Sequence, residues 1–524
     1  MLLYCAVAEY DLRRERSLKR FLLLFIALTV LAGLAYVFLF SDGPSDPFEE
    51  TFARHCIGCH SLDTEGGLVD APLAHGDSVA AISKSIAHGF PQQGMPGFAD
   101  TLPPEDIRAL AIYVAERRVD RLFTDFKVDA PLTIPEGVIS TAEHSFKIDV
   151  VTAGLDPLPF SIQPLPDGRI LVTEKMRGLR IVEPDGTVSD LVVGTPRVYD
   201  DYIEAVLVWG HGWLLDVALH PDYARNGWIY LHHTRRCEDC WIVARSYNRV
   251  VRGRIRDGQW IDEEVVWDPG PEFHSIVPDI GAGGRLAFDD QGYLYISVGI
   301  KGSSNFDGVQ NLEKPWGKIH RVWADGRVPD DNPFVGTPGA YPTIWTFGHR
   351  SPQGLEFNHR TQKLWSTEMG PRGGDEINLL LPGRNYGWPL YSMGLNYDGE
   401  PVNYGEWLDI TFDLNDIEQP VVDLTPAPAV SSFVFYEGDA FPRWRGQALV
   451  GSLKASELYR VVFDEQDRFV SSEVLLSKLA RIRDIEVGFD GAVYLLLEHA
   501  EGGQILRLTP VTSEQVGAGA VAAP

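Results

Sequence analysis

Gln291-Gly292-Tyr293-Leu294-Tyr295-Ile296 is a tight turn followed by aromatic and β-branched residues, and Ile319-His320-Arg321-Val322 further on sets an arginine among apolar neighbours. A glycine turn running into such a stretch reads as a strand entered from a hairpin. The same pair recurs on both sides. The turn-and-strand half stands at Pro166-Asp167-Gly168-Arg169-Ile170-Leu171-Val172, Asn226-Gly227-Trp228-Ile229-Tyr230-Leu231, Gln362-Lys363-Leu364-Trp365-Ser366, Gly446-Gln447-Ala448-Leu449-Val450 and Asp490-Gly491-Ala492-Val493-Tyr494-Leu495. The arginine half stands at Leu179-Arg180-Ile181, Gly253-Arg254-Ile255, Tyr459-Arg460-Val461 and Leu506-Arg507-Leu508. Six copies of the first pattern, about 45 to 80 residues apart, are what four-stranded blades with loops of unequal length produce. Residues 142–510 are therefore expected to form an all-β six-bladed β-propeller. A pair of β-sandwiches would supply strands but would not repeat one strand pair.

The totals fit a folded, loop-rich chain. Its 524 residues are 44% apolar and 23% charged, with 51 Gly and 35 Pro, which favours many turns over long helices. The length allows about two to four domains. With 73 Asp and Glu against 46 Lys and Arg, the formal net charge is -27. Such a chain repels phosphate backbones, which excludes nucleic acid as a partner. Five cysteines are too few for a disulfide scaffold, yet four of them form two C-x-x-C pairs.

The N-terminus sets the expected compartment. Phe21 to Phe40 is a run of 20 residues without charge, enough to cross a hydrocarbon core. Arg13, Arg14, Arg16, Lys19 and Arg20 precede it, so residues 1–20 are expected in the cytoplasm and everything after the anchor on the far side. In a Gram-negative cell this is a single-pass inner-membrane protein with its C-terminal domains in the periplasm. A cleavable signal peptide with Gly33 and Ala35 at its end is the alternative; the apolar run continues past them, which favours a retained transmembrane helix. Residues 41–47 read as a linker, as do 121–141, and 511–524 as a disordered tail.

Residues 48–120 hold the first cysteine pair. Cys56-Ile57-Gly58-Cys59-His60 is the haem attachment signature, with two thiols for thioethers and His60 placed to ligate the iron. Met95, in Gly94-Met95-Pro96-Gly97, is the preferred sixth ligand over His55, His75 and His88, because a proline-flanked loop holds its thioether in place. Ile107, Leu110, Ala111 and Val114 then recur at helical spacing after Pro103-Pro104. The segment resembles a class I cytochrome c, which implies a small all-α domain carrying haem c and a His/Met pair that raises its reduction potential.

Further loops carry a second resemblance. Gly348-His349-Arg350-Ser351-Pro352-Gln353-Gly354-Leu355, Glu368-Met369-Gly370-Pro371, Asp375-Glu376-Ile377-Asn378, Asn385-Tyr386-Gly387-Trp388-Pro389, Gly451-Ser452-Leu453-Lys454 and Arg481-Ile482-Arg483-Asp484 are similar, in this order, to the glucose/sorbosone dehydrogenase family. Those aldose dehydrogenases use pyrroloquinoline quinone (PQQ) beside Ca²⁺ over the axis of a six-bladed propeller. The resemblance implies that Arg350 lies over the quinone, that Ser351 and Gln353 accompany it, and that Lys454, Arg481 and Arg483 surround the cofactor's carboxylates and quinone oxygens. The carbonyls of Gly370 and Pro371 would hold Ca²⁺, and Asp375, Glu376 and Tyr386 match positions linked to further structural calcium. The chemistry is coherent by itself, since a tricarboxylate needs several cations and calcium takes hard oxygen ligands.

The departures fall on proton abstraction. Where the family has a histidine base, this chain reads Gly281-Ala282-Gly283-Gly284-Arg285-Leu286, and a carboxylate expected after the next strand is matched by Ile300. Ser351 replaces the usual Asn, and His211 stands at a polar position before Leu214-Leu215. His211 and His274 are the candidate substitutes for the base. A missing base costs roughly 10² to 10⁴-fold in rate. The second cysteine pair, Cys237-Glu238-Asp239-Cys240, lacks a following histidine; a disulfide is favoured over a zinc site with His232 and His233. Two functions are therefore expected in competition: a membrane-anchored quinohaemoprotein dehydrogenase that oxidises a sugar, polyol or aldehyde and feeds a respiratory-chain acceptor through its haem, or a propeller without that activity that serves the cytochrome as a binding module.

Overall fold

Each copy of the turn-and-strand pattern forms the second strand of a sheet: Ile170–Glu174, Ile229–Arg236, Tyr293–Val298, Lys363–Glu368, Ala448–Ser452 and Val493–Glu498. Each copy of the arginine pattern lies in the third strand, in Gly178–Val182, Ser246–Arg256, Lys318–Trp323, Leu458–Phe463 and Gly503–Pro510. The fourth sheet's third strand, Glu376–Leu379, carries no arginine. The recurring side chain makes ion pairs: Arg180 donates to Glu174 at 2.8 Å, Arg460 to Glu473 at 2.6 Å and Arg507 to Asp490 at 2.7 Å.

The computed structural model describes residues 47–61, 67–68, 73–120, 132–200, 210–240, 243–301, 306, 308–511 and 520–522. The expected anchor at 21–40 lies outside them, as does most of the 121–141 linker; among the described residues no helix is long and apolar enough to cross a membrane. The chain divides into two units, Met1–His60 and Ser61–Pro524.

In the second unit, the innermost strands Pro159–Pro164, Leu214–Leu219, Gly283–Phe288, Pro352–Asn358, Val430–Phe435 and Arg481–Val487 touch one another in ring order. Six antiparallel sheets around one axis make a six-bladed propeller, as the repeats predicted. Neighbouring blades share apolar cores: Leu171, Leu214 and Leu231 between the first two, and Tyr230, Val250, Leu286 and Leu294 between the second and third. Ser145–Leu155 pairs antiparallel with Gly503–Pro510, so an N-terminal strand closes the last blade and hides the edge. Of the tail expected at 511–524, Ala520–Ala522 runs parallel to Val138–Ser140, and residues 512–519 and 523–524 lie outside the described residues.

Among the described residues, two α-helices precede the propeller within this unit. We label α1 Pro47–His55 of the first unit, α2 Val79–His88 and α3 Pro104–Asp120. Ser78 caps α2, its Oγ accepting from Ala81 N. In α3 every residue from Ala109 to Ala115 is buried, so no face of its middle is left to water. The second unit joins α2, the Met95 loop and α3 to the propeller, with Arg108 and Glu116 of α3 bonding propeller loops.

Candidate active site

In the first unit, α1 runs into the attachment signature. Cys59 N and His60 N both donate to the Cys56 carbonyl, at 3.0 and 2.8 Å, so both thiols and the imidazole are carried by one turn. In the second unit the backbone of Met95 is pinned: Phe90 N donates to Met95 O at 2.8 Å and Met95 N returns to Phe90 O at 3.2 Å. Gly89, at φ +62°, has no room for a Cβ, which would lie 2.3 Å from Pro96 C. His75 stacks on Phe90 at 4.0 Å.

A cavity of about 500 Å³ opens at the end of the propeller where the inner strands begin; Gly281, Ser351 and Ala429, each just ahead of such a strand, line it. Arg350, Lys454, Gly370, Pro371 and Asp375 also stand on its wall. Ser351 N and Arg350 N donate to Glu368 Oε1, while His349 Nδ1 donates to the other oxygen at 2.9 Å. The backbone thus aims Arg350, whose guanidinium reaches Met369 O at 3.1 Å and the Tyr397 hydroxyl at 3.2 Å. Arg350 Nε is buried with no hydrogen-bond partner, a spare donor on a cavity cation. Asp375 organises the neighbouring loop, accepting from Gly370 N at 3.0 Å and Val430 N at 2.8 Å; burial pushes its carboxyl up to about 7.

The other expected cofactor residues lie apart from this wall. Arg481 Nε and Arg483 Nε both donate to Glu498, at 2.8 and 2.7 Å, and Lys175 Nζ joins them at 2.8 Å. The carboxylate is fully buried in this nest of three cations. Burial raises the Glu498 carboxyl, but Arg483, Lys175 and Arg481 together overcome that and hold it well below its usual range. Burial, reinforced by Arg483, pushes Lys175 down to about 7. Gln353 links nest to cavity, accepting from Arg483 at 3.1 Å and donating to Ser351 Oγ at 2.9 Å. The two arginines, placed around the cofactor by the family resemblance, stand here in a buried ion-pair cluster. Sequence reading missed Lys175 and Glu498; their partners lie up to 323 residues away, and no local pattern joins them.

Neither candidate base reaches the cavity wall. His211 is buried, its Nδ1 2.8 Å from Ser246 Oγ in a network where Lys301 Nζ donates to Ser246 at 2.7 Å and pairs with Asp279. His274 donates from Nδ1 to Pro271 O at 2.7 Å and stands edge-on to Tyr247. At the base position itself, a Cβ on Gly281 would lie 2.9 Å from Ile300 Cγ1: the two departures from the family fill each other's space. Gly283 and Gly284, at φ +69° and +102°, bend the chain so that Arg285 enters the channel and pairs with Asp484 at 2.7 Å and Asp216 at 3.3 Å. Burial pushes Asp216 up to about 6.

Of the expected calcium positions, Asp375 lines the cavity, whereas Tyr386 spends its hydroxyl on Leu379 O at 2.5 Å and stacks on His349, and Glu376 accepts from Asn378 at 3.1 Å. Among the described residues no group of three or more acidic, histidine or cysteine side chains forms a metal cluster. Cys237 and Cys240 are joined in a disulfide. His232 accepts from Asn248 Nδ2 at 2.9 Å, and burial pushes both His232 and His233 down to about 3.

An axial cavity with fixed cations, on a six-bladed propeller that follows a haem attachment signature, defines a class: propeller oxidoreductases with a c-type cytochrome segment. Residues 157–507 match the family model described as Glucose / Sorbosone dehydrogenase, and residues 45–114 match that of Cytochrome C oxidase, cbb3-type, subunit III. The aldose sugar dehydrogenase YliI of Escherichia coli (strain K12) is 34% identical over 387 residues, which is 72% of this chain and 97% of that one. Quinoprotein glucose dehydrogenase B of Acinetobacter calcoaceticus is 26% identical over 71% of this chain and 89% of its own. A solved glucose dehydrogenase superposes with a TM-score of 0.61 at 35% identity, covering 69% of this chain and 99% of that one. The chain belongs to the glucose/sorbosone dehydrogenase family, with a cytochrome c domain preceding the propeller.

Proposed function

We propose that the cavity at the propeller axis oxidises a hydroxyl or aldehyde of a small sugar, polyol or related molecule, and that the electrons leave through a haem bound by Cys56, Cys59, His60 and Met95. The observation that carries this reading is the cavity wall, which unites Arg350, Lys454 and the Gly370-Pro371 loop and has a spare buried donor in Arg350 Nε. That donor set fits an anionic quinone with a hard cation beside it: Arg350 and Lys454 would meet the anion, and the carbonyls of Gly370 and Pro371 the calcium. When bound, PQQ supplies a two-electron acceptor, calcium a Lewis acid, and haem a one-electron carrier. The chain's own part is to hold these groups in place. Glu368 fixes the Arg350 backbone, Asp375 winds the calcium loop, and Gln353 ties Ser351 to the buried nest. The matched quinoprotein relative supports the cofactor assignment. An extracytoplasmic location, with a single anchor at 21–40, follows from the haem attachment signature and the charge flanking that run.

The second reading, a propeller that binds without oxidising, draws on two features. Ile300 occupies the space a base at position 281 would need, and Glu498 already neutralises much of the cationic nest. Titration calorimetry with PQQ, with and without Ca²⁺, on the native chain and on Lys454→Ala separates the two. Micromolar, calcium-dependent binding that weakens at least about tenfold in the variant supports the dehydrogenase; no binding supports the scaffold.

A further inference from the structure

Helix α3 ends the haem-bearing segment, and one of its side chains enters the propeller's cavity. Glu116 lines that cavity and meets Arg372 across a forked pair: Arg372 Nε lies 3.0 and 2.9 Å from the two carboxylate oxygens, and a terminal nitrogen 2.6 Å from one of them. The side chains are 17% and 15% exposed, too buried for an ordinary surface bridge. About two turns earlier, Arg108 donates to Met393 O at 2.5 Å and reaches Asp423 at 3.5 Å.

Both contacts lead to one loop. Arg372 itself pairs with Leu395 through backbone bonds of 2.9 and 2.8 Å. Asp423 Oδ1 accepts from the Thr425 hydroxyl, whose oxygen accepts from Gly374 N at 2.9 Å. The loop between them is wound so tightly that a Cβ on Gly370 would lie 2.3 Å from Gly374 O. Gly370 and Pro371 of this loop line the cavity.

We propose that α3 is a fixed wall of the propeller's site, and that the Glu116–Arg372 pair is a latch by which the haem-bearing segment holds the Gly370–Gly374 loop in place. Glu116 and Arg372 are positioning residues in this account. The latch exists whether or not the cavity oxidises a sugar; its consequence for turnover rests on the dehydrogenase reading.

The test uses charge reversal and rescue in the full haem-loaded chain. Glu116→Arg and Arg372→Glu are made singly and together, with Glu116→Gln as the milder variant should a reversal not fold. Hydrogen exchange at the amides of Arg372 and Gly374 should speed up about tenfold in each single reversal and about threefold in Glu116→Gln, and return to within about threefold of native in the double reversal. Exchange that stays at the native rate in all variants, or a double reversal that exchanges as fast as the singles, overturns the latch. Sugar-dependent haem reduction is followed in the same proteins loaded with PQQ and calcium. If exchange follows the expected pattern but even the native chain oxidises no sugar, the dehydrogenase reading fails and the latch stands. If sugar is oxidised while exchange does not move, the latch fails alone.

Discussion

Replacing Glu498 by glutamine removes one negative charge from a buried site that holds three cations within 2.8 Å of it. Breaking a buried ion pair from one side costs about 3–5 kcal/mol, because the partner charges are left uncompensated. Lys175, pushed down to about 7, relieves part of that by losing its proton, so at pH 8 the lower end, about 3 kcal/mol, applies. At about 2.1 cal/mol/K per residue over a propeller of about 370 residues, that is a fall in Tm of about 4 °C. The folded pKa of Glu498 is depressed, so its contribution is present above the unfolded carboxyl pKa and is lost only as pH falls through the folded value. Scanning calorimetry of Glu498→Gln and the native chain between pH 8 and pH 5 should therefore show a gap that persists across the range. The same variant has a surplus of positive charge, so citrate, a tricarboxylate, should raise its Tm more than that of the native chain. A variant as stable as the native protein, with no extra response to citrate, refutes the reasoning.

Lys175 has the same linkage sign in a higher pH window. Its folded pKa of about 7 lies below its unfolded value, so the unfolded chain binds more protons between those two pH values and stability rises with pH there; Lys175→Met should flatten that rise in a calorimetric pH series. Gly281→Ala forces a Cβ to within 2.9 Å of Ile300 Cγ1 and should cost about 1–3 kcal/mol in urea unfolding, a clash that Ile300→Ala, which removes that atom, relieves. Opening the same space chemically, Gly281→His with Ile300→Asp should raise dye-linked sugar oxidation by about 10² or more if base loss limits turnover; a rate at or below native counts against it. Cys56→Ala should abolish covalent haem on a denaturing gel stained for haem, yet leave substrate oxidation by a soluble dye intact.

The propeller was legible because its signal is local. A glycine turn and the strand after it lie within about eight residues, and the six copies proved to be one strand position in six blades. The wall of the cavity was partly legible for a similar reason, since Arg350-Ser351 and Gly370-Pro371 sit in short loops whose order the family shares. Depth was not legible. His211 and His274 were candidate bases from residue type alone; the fold turns one into a buried Ser246–Lys301–Asp279 network and the other onto its own loop. Arg481 and Arg483 alternate in the sequence as a cofactor pair or an exposed pair would, and only the register that sets Arg481 opposite Glu498 shows that their first partner is internal. The attachment of α3 to the propeller was hidden too, because it links Glu116 to Arg372, 256 residues on.

The central claim is that sugar electrons collected in the axial cavity reach this chain's own haem. Absorbance of the haem, followed after mixing the PQQ- and Ca²⁺-loaded protein with a panel of aldoses, polyols and aldehydes, tests it most directly. The account predicts haem reduction that requires both PQQ and a substrate and is lost in Lys454→Ala. A haem that stays oxidised with every substrate while PQQ is bound contradicts it.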